Sequence, residues 1–297
     1  MTLSIAHLGP IGTYAEQAAL AYAQWWSGQT LQAAPQLIPF SSIAQTLHAV
    51  AEERVDIAIA PVENSIEGSV TMTLDTLWRV DNLKIRQAIA LPIDHVLVAQ
   101  SEDLSAIAHI YSHPQALGQC QRWLQQNLPD AELIPTNSTT EALKYIGGRA
   151  AAISSERAAQ LYDFPILARS IQDYPDNTTR FLVVSRPDAS VIIPTVRELP
   201  VYTSLAFSLV RNSPGALVKP LQIFAERHIN LSRIESRPSK RSPGDYVFFV
   251  DAEVGLDTKP FEPVLRLLED NTESLKVLGY YSILQITLPS NSIAQAV

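Results

Sequence analysis

Short apolar runs alternate with amphipathic stretches over residues 1–185, a pattern that predicts a layered α/β structure. The runs expected to form strands are Leu3–Gly9, Gln36–Phe40, Asp56–Val62, Ile107–Ser112, Glu132–Thr136, Ala150–Ser154 and Thr179–Ser185. The stretches with helical spacing are Thr13–Trp26, Ser42–Glu53, Ser69–Trp78, Gln115–Asn127, Thr139–Gly147 and Ser155–Tyr162. A long extended section, Lys84–Gln100, connects the first set of elements to the second.

The pattern changes after residue 185. Residues 186–201 contain three prolines and no helical period, which predicts a linker. The next six elements follow the order strand, helix, strand, strand, helix, strand: Tyr202–Val210, Pro214–His228, Asn230–Arg237, Asp245–Val254, Lys259–Glu269 and Leu275–Leu284. This βαββαβ order is typical of a ferredoxin-like domain. We therefore expect one domain over 1–185, a second over 202–286, and a tail without regular structure over 287–297.

Composition narrows the class of protein. Apolar residues make up 46% and charged residues 18% of the chain, as in soluble globular proteins. The net charge of −8 argues against binding to nucleic acid or to an anionic membrane. The N-terminal residues lack the pattern of a signal peptide, and no apolar run approaches the roughly 18 residues of a membrane span. We expect a soluble, cytoplasmic protein.

The cysteine content of the chain indicates neither a disulfide nor a metal site. The single cysteine, Cys120, cannot form an internal disulfide and is expected to be a small buried helix residue. No cluster of cysteine and histidine has the spacing of metal ligands. The sequence therefore predicts neither a metal nor a cofactor.

Two polar motifs follow strands of the first half, at the strand ends where open α/β sheets bind ligands. Gly9–Tyr14 (GPIGTY) leads into the first helix, where backbone amides can approach an anion. The same residues also suit a plain tight turn. In Pro61–Val70 (PVENSIEGSV), Asn64 and Ser65 supply hydrogen-bond donors and Gly68 allows close approach.

The glutamates of the second motif have two interpretations. Glu63 and Glu67 are either acid–base carboxylates or solvated loop residues.

Two further motifs lie near later strands. Ser112–Leu117 (SHPQAL) contains His113, which is either a general base or a structural hydrogen-bonding residue at the corner between strand and helix. Asn177–Phe181 (NTTRF) places the Arg180 guanidinium beside two hydroxyls. A guanidinium suits bidentate carboxylate binding, and it is equally at home in a surface salt bridge.

Taken together, GPIGTYAEQAA, PVENSIEGSV, SHPQAL and NTTRFLVV, in this order and spacing, resemble the prephenate dehydratase family. In the second half, Arg211–Leu217 (RNSPGAL) and Ile234–Pro238 (IESRP) resemble the ACT regulatory domain that these enzymes carry. The resemblance spans about residues 3–285. The chain starts at the dehydratase strand, so we expect the monofunctional form, without the chorismate mutase domain that some relatives carry ahead of it.

The resemblance implies an activity and a fold. Family members convert prephenate to phenylpyruvate with loss of carbon dioxide and water, a step in phenylalanine biosynthesis. Their catalytic domain resembles type II periplasmic-binding-protein folds, with two α/β lobes around a cleft. We expect one lobe over about 1–99 with 177–185, and the other over about 100–176.

The resemblance also assigns roles to residues. Thr179 is expected to assist departure of the ring hydroxyl, by donating a proton or only a hydrogen bond, and Arg180 to anchor a carboxylate. The expected substrate contacts are Thr13, Asn64, Ser65, Gly68, Ser112, Gln115, Asn177, Arg180 and Phe181. The expected phenylalanine-binding residues, at an interface between two ACT domains, are Asn212, Gly215, Ala216, Leu217, Glu235, Ser236 and Arg237. Such an interface implies a homodimer or homotetramer.

Two other functions are compatible with these residues. Arogenate dehydratase performs the same reaction on the amino-acid analogue of prephenate and gives phenylalanine directly. A ligand sensor would combine the cleft with the ACT domain and catalyse nothing, but a sensor has no need of the hydroxyl of Thr179 at a leaving oxygen.

Overall fold

The computed structural model describes residues 2–196, 198–242, 244–254 and 261–286. Its strands are β1 (Ser4–Leu8), β2 (Gln36–Phe40), β3 (Ile57–Asn64), β4 (Gly68–Ser69), β5 (Lys84–Pro92), β6 (Val96–Ala99), β7 (His109–Ser112), β8 (Glu132–Pro135), β9 (Ala150–Ser154), β10 (Ile166–Ala168), β11 (Thr178–Ser185), β12 (Val201–Ser208), β13 (Leu231–Pro238), β14 (Tyr246–Ala252) and β15 (Ser274–Gln285). Its helices are α1 (Tyr14–Thr30), α2 (Ile43–Ala51), α3 (Thr71–Arg79), α4 (Pro114–Gln119), α5 (Gln121–Asn127), α6 (Glu156–Leu161), α7 (Val218–Ala225) and α8 (Phe261–Asn271). No helix among these described residues is both long enough and apolar enough to cross a bilayer. The predicted tail, 287–297, lies outside the described residues.

Two sheets form the framework. The larger has the strand order β13-β14-β12-β15-β5-β11-β3-β1-β2, with β4 paired to β3, and the smaller has the order β10-β6-β9-β7-β8. The chain passes from the first to the second between β5 and β6 and returns between β10 and β11. The predicted α/β class is confirmed, with two lobes and a βαββαβ unit. The expected lobe boundary at residue 99 shifts to about residues 93–95, because β6 pairs within the smaller sheet.

The first lobe, formed by β1–β5, β11 and α1–α3, buries both faces of its sheet. Ile5, Ile57 and Ile59 pack with the α1 side, whereas Ala6 and Ala58 pack with the α2 and α3 side. Successive residues of a strand point to opposite faces, so nearly continuous apolar runs serve both layers. Burial of each isoleucine contributes about 1.5–3 kcal/mol.

The C-terminal domain, residues 201–286, extends the sheet of the first lobe. Strand β15 pairs in parallel with β5, with Gly279 opposite Ile85. A Cβ atom at Gly279 would lie 2.1 Å from the carbonyl oxygen of Ile85, so only glycine permits this approach. The two domains expected from the sequence are therefore joined by one continuous sheet.

The segment predicted as a linker packs against the first lobe. Val191 and Ile193 contact the apolar cluster on the α1 side. The indole Nε1 of Trp26 donates to the carbonyl of Ile192 at 2.8 Å. The prolines exclude a helix here, as expected, but the apolar residues between them bind the segment to the core.

Three predicted helices differ from the observed ones. The helix expected over Gln115–Asn127 is interrupted at Cys120, where the Asp173 carboxylate accepts the backbone N–H groups of Arg122 and Trp123 and starts α5 anew. Residues Glu141–Tyr145 form a 3-10 turn in place of a longer helix. The helix expected from Pro214 begins only at Val218.

Cys120 is buried, and burial raises the pKa of its thiol.

Candidate active site

A cavity of about 1100 Å³ lies between the two lobes. The expected catalytic residue Thr179 and four of the expected substrate contacts line it: Thr13, Asn64, Gln115 and Phe181. Four of these residues lie at or next to the end of an element: Thr13 caps α1, Asn64 ends β3, Gln115 is the second residue of α4, and Thr179 is the second residue of β11. Phe181 lies two residues further along β11, on the same face as Thr179.

The orientation of the Asn64 side chain is determined by the backbone. Its Oδ1 accepts the N–H groups of Ile66 and Glu67, each at 3.1 Å. Its Nδ2 must therefore face the other way, where it donates to Asn177 Oδ1 at 2.8 Å and to Thr179 Oγ1 at 2.9 Å. The turn that follows β3 thus selects the donor end of this amide.

This bond directs the hydroxyl of Thr179. Because Oγ1 of Thr179 accepts from Asn64, its own proton is not needed for that contact. Thr179 lies in the cavity lining. Its O–H group is therefore free to donate to a group bound there.

The same amide network continues into the second lobe. Asn177, which is buried, donates from Nδ2 to Gln119 Oε1 at 2.9 Å. The Nε2 of His95 lies 3.0 Å from the same oxygen, so it carries the proton, and Tyr14 Oη lies 2.9 Å from the His95 Nδ1. Gln119, His95 and Tyr14 all line the cavity.

Sequence reasoning missed these three side chains as site residues. Two local signals were present: Tyr14 ends the GPIGTY motif, and Gln119 lies one turn after Gln115 on the same helical face. His95 follows the crossing between lobes, where no motif marked it.

Five expected contacts do not line the cavity. Ser65, Gly68 and Asn177 lie directly behind it, whereas Ser112 and Arg180 make their contacts elsewhere. Ser112 is fully buried in the second lobe, where its Oγ donates to the carbonyl of Ile153 at 2.7 Å. Arg180 lies on the opposite face of β11 from Thr179, and its Nη2 bonds Glu63 at 2.7 Å and Asp251 at 3.0 Å. Both placements correct the expectation from sequence. The hydroxyl of Ser112 is bonded inside the second lobe, and alternation along β11 turns Arg180 away from the cleft.

Ser65 and Gly68 lie in the turn beside the site rather than in its lining. Ser65 Oγ accepts the backbone N–H of Thr178 at 3.0 Å and lies 3.4 Å from Asn177 Oδ1. Gly68 pairs with Asn64 in the short β3–β4 ladder and has φ of +84°. Both residues hold the turn that orients Asn64.

The other candidate acid–base residues have structural partners. His113 caps α4 by accepting the N–H of Gln115 at 3.3 Å, and burial lowers its pKa. Glu67 lies 3.5 Å from the Gln119 amide nitrogen. Glu63 pairs with Arg180 away from the cavity. The structural interpretation of His113 and Glu63 therefore accounts for their observed contacts.

A buried ion pair holds the lobes together beside the site. The Glu16 carboxylate accepts from the Gly12 N–H and from Arg157 of the second lobe. Arg157 and Glu16 are 3% and 6% exposed at their side chains. Ser155 Oγ also donates to the Gly12 carbonyl at 3.0 Å. The turn between β1 and α1 is thus fixed from both lobes.

Comparison with known proteins gives the chain its family. Residues 5–189 match the family model described as prephenate dehydratase, and residues 203–270 match the ACT domain. The chain belongs to the prephenate dehydratase family. The relative "Bifunctional chorismate mutase/prephenate dehydratase" of Aquifex aeolicus is 41% identical over 281 residues, which cover 94% of this chain and 73% of that protein.

Solved structures of similar fold cover most of the chain. The prephenate dehydratase of Arthrobacter aurescens, solved in complex with L-Phe, has a TM-score of 0.82 and 34% identity, over 94% of this chain and 90% of that one. A structure described as a novel type of quorum-quenching acylase, GqqA, has a TM-score of 0.78 and 28% identity, over 94% and 98%. The prephenate dehydratase fold thus extends through the ACT domain.

In this member of the prephenate dehydratase family, the expected effector residues lie in two places. Asn212, Gly215, Ala216 and Leu217 form the turn between β12 and α7, where Asn212 donates to the carbonyl of Gly244 at 2.9 Å. Glu235, Ser236 and Arg237 lie on β13, the edge strand of the large sheet.

The strand β13 has two different faces. Glu235 and Arg237 face the first lobe, where Ser69 donates to Glu235 at 2.9 Å and Asp75 lies 3.6 Å from Arg237. Ser236 and the neighbouring Ile234 are on the alternate, more exposed face, with Ile234 48% exposed. The same strand therefore contacts the catalytic lobe and presents an open face.

Acidification is expected to destabilise this prephenate dehydratase through His95. Burial lowers the pKa of His95 below its ordinary value of 6.5, against the opposing effects of Gln119 and Asp94. His95 therefore binds a proton more readily in the unfolded chain than in the folded state. As a result, the free energy of unfolding falls as the pH drops through about 6.5. We expect the melting temperature to fall less between about pH 7.5 and pH 5 in His95→Gln than in the wild type. Equal falls in both would contradict this. The exposed His228→Gln is the matched control, in which the wild-type fall should be retained.

Proposed function

We propose that this chain converts prephenate to phenylpyruvate, carbon dioxide and water in the cavity between its lobes. The observation that carries the proposal is the direction of the Asn64–Thr179 hydrogen bond, which leaves the Thr179 proton free to face a bound substrate. Membership of the prephenate dehydratase family supports the choice of substrate.

The reaction requires few functional groups from the protein. The bond from the ring to its carboxylate breaks and releases carbon dioxide, the electron pair completes the aromatic ring, and hydroxide leaves from the opposite carbon. Thr179 donates a hydrogen bond to that oxygen as negative charge develops on it, and the departing hydroxide takes up a proton from solvent to become water. A donor preorganised at a developing charge stabilises the transition state more than the ground state.

The remaining lining residues orient the substrate. Thr13 and Gln115 provide polar groups at the starts of α1 and α4, and Phe181, which is almost fully buried, is an apolar residue of the lining. Lys144 is the sole Lys or Arg among the described residues of the lining, and it is exposed. We assign the carboxylates of prephenate to Lys144 and to the backbone amides at the start of α1, where the helix dipole favours negative charge.

We further propose that phenylalanine inhibits the enzyme by binding to the C-terminal domain. Support comes from the match of residues 203–270 to the ACT domain and from the L-Phe complex of the Arthrobacter aurescens relative. The open face of β13 and the turn at Asn212–Leu217 are the proposed effector site, at an interface between two copies in a dimer or tetramer. A reducing compartment, the cytoplasm, suits the single buried thiol of Cys120.

Acyl transfer is not supported by the same geometry, although one structural relative is described as an acylase. A hydroxyl nucleophile needs an adjacent base. The described partner of Thr179 Oγ1 is the Asn64 amide nitrogen, which is a donor.

The test compares two substrates. Purified protein is incubated with prephenate or with arogenate, and the products are identified as phenylpyruvate or phenylalanine. We expect phenylpyruvate formation with kcat/KM for prephenate at least about tenfold above that for arogenate, a difference of about 1.4 kcal/mol. A preference for arogenate would overturn the substrate assignment, and no turnover of either would favour the sensor.

A further inference from the structure

Arg180 sits at the boundary between the catalytic lobe and the C-terminal domain. Its guanidinium is 13% exposed and bonds a carboxylate from each side of that boundary, Glu63 on β3 and Asp251 on β14. These are the bonds that take it away from the cavity. Arg180 is therefore shared between the two domains.

The Asp251 carboxylate is the centre of the cluster. It is fully buried, and it accepts from Arg180 Nη2 at 3.0 Å, Arg233 Nε at 2.8 Å and Ser204 Oγ at 2.5 Å. Burial alone would raise the pKa of Asp251, but the guanidinium groups of Arg233 and Arg180 hold it below its ordinary value. Moving this buried carboxylate away from both guanidinium groups would leave its charge unpaired, which is costly.

The strand register connects this cluster to the cavity. On β11 and β3, Thr179 pairs with Asn64, and the adjacent residues Arg180 and Glu63 pair with each other. The first pair faces the cleft and the second faces the C-terminal domain. The backbone that carries the Thr179 hydroxyl is therefore directly next to the residue that Asp251 holds.

A second contact runs alongside the first. Ser69 of β4, which is paired to Glu63, donates to Glu235 of β13 at 2.9 Å. Arg233 lies two residues before Glu235 on the same strand and the same face. The strand with the proposed effector residues is therefore linked to the site strands by two routes, through Ser69 of β4 and through Asp251 of β14.

We propose that Arg180 is a positioning residue whose ion pair with Asp251 couples the C-terminal domain to the Thr179–Asn64 pair. Phenylalanine bound at β13 shifts Arg233 and Asp251, and the shift reaches Thr179 through Arg180. The regulatory half of this statement rests on the proposed function, whereas the positioning half does not.

The test uses Asp251→Asn, which keeps the shape of the side chain and removes its charge. Hydrogen exchange is measured at the amides of residues 62–64 and 178–181, and kcat, KM and half-inhibition by phenylalanine are measured with prephenate. We expect exchange at these amides to rise about tenfold or more, and kcat to fall more than KM changes. Half-inhibition should need about fivefold or more phenylalanine, while phenylalanine binding, measured by calorimetry, changes less. Asp251→Glu should recover part of the coupling.

Lys276→Met is the matched control. Lys276 is also 13% exposed and also crosses the domain boundary, where it bonds Asp81 and two carbonyls at the end of α3, away from β3 and β11. Equal effects of Lys276→Met and Asp251→Asn would overturn the proposal, because any loosening of the boundary would then suffice.

A milder variant keeps the proposal testable if Asp251→Asn fails to fold. Ser69→Ala removes only the bond to Glu235, and we expect it to weaken inhibition about twofold or more with kcat retained. Unchanged inhibition in Ser69→Ala, together with unchanged exchange in any folded Asp251 variant, would refute the coupling. If the wild type makes no phenylpyruvate, the proposed function fails, and the exchange data still decide whether Asp251 holds β3 and β11.

Discussion

Thr179→Val is expected to lower kcat for phenylpyruvate formation by about 10²–10⁴-fold, the range for loss of a positioned donor. Valine matches threonine in shape and suits a strand, so β11 should keep its structure. Asn64 Nδ2 loses one acceptor but still donates to Asn177. The substrate keeps its other contacts, so KM should change by less than about threefold, and the loss should fall on kcat.

Steady-state kinetics with prephenate measure this effect. Thr179→Ser keeps a hydroxyl and is the control, with most of the activity expected to survive. If Thr179→Val retained more than about a tenth of the wild-type kcat, the hydroxyl would have no part in the departure of water.

Asn64→Asp is expected to lower kcat by about 10²–10³-fold, although it changes a single atom. The new carboxylate still accepts from the N–H groups of Ile66 and Glu67, which favours its ionised form. Its second oxygen then faces Thr179 and takes the proton that the substrate needs. The Thr179 hydroxyl remains in place, but its proton points to the new carboxylate instead of to the substrate.

The pH dependence separates this account from simple damage to the site. As the pH falls through the pKa of the new carboxyl, the group becomes a donor again, so part of the activity should return on acidification. A fall in kcat without any such return would indicate that the variant acts by distortion. Ser65→Ala, which alters the neighbouring residue of the same turn, is the control and should cost less than about tenfold.

Sequence patterns identify the motifs that form this site, but they do not predict the contacts between those motifs. The family resemblance carried by these motifs implied that Asn64 and Thr179 share a cleft, and both line one cavity. Strand alternation implied that Arg180 faces away from Thr179. This local rule predicted the position of Arg180 better than the general suitability of a guanidinium for binding a dicarboxylate. The family resemblance led to the opposite assignment for Arg180.

Contacts between distant residues lay beyond sequence reasoning. Asp251 meets Arg180 from a strand 71 residues away, and Glu16 meets Arg157 across 141 residues. The pairing of β15 with β5 depends on the missing side chain of Gly279, which from sequence is one glycine in a strand. These features arise from how lobes and domains pack, and no local pattern encodes a partner.

The most direct test of the proposed mechanism is a double-mutant cycle on Asn64 and Thr179, read as kcat for phenylpyruvate formation from prephenate. If Asn64 acts by directing the Thr179 proton, then Asn64→Asp should have little further effect once Thr179→Val has removed that proton. The account predicts a double variant within about threefold of Thr179→Val alone. Losses that multiply in the double variant would show that the two residues act independently, and would contradict it.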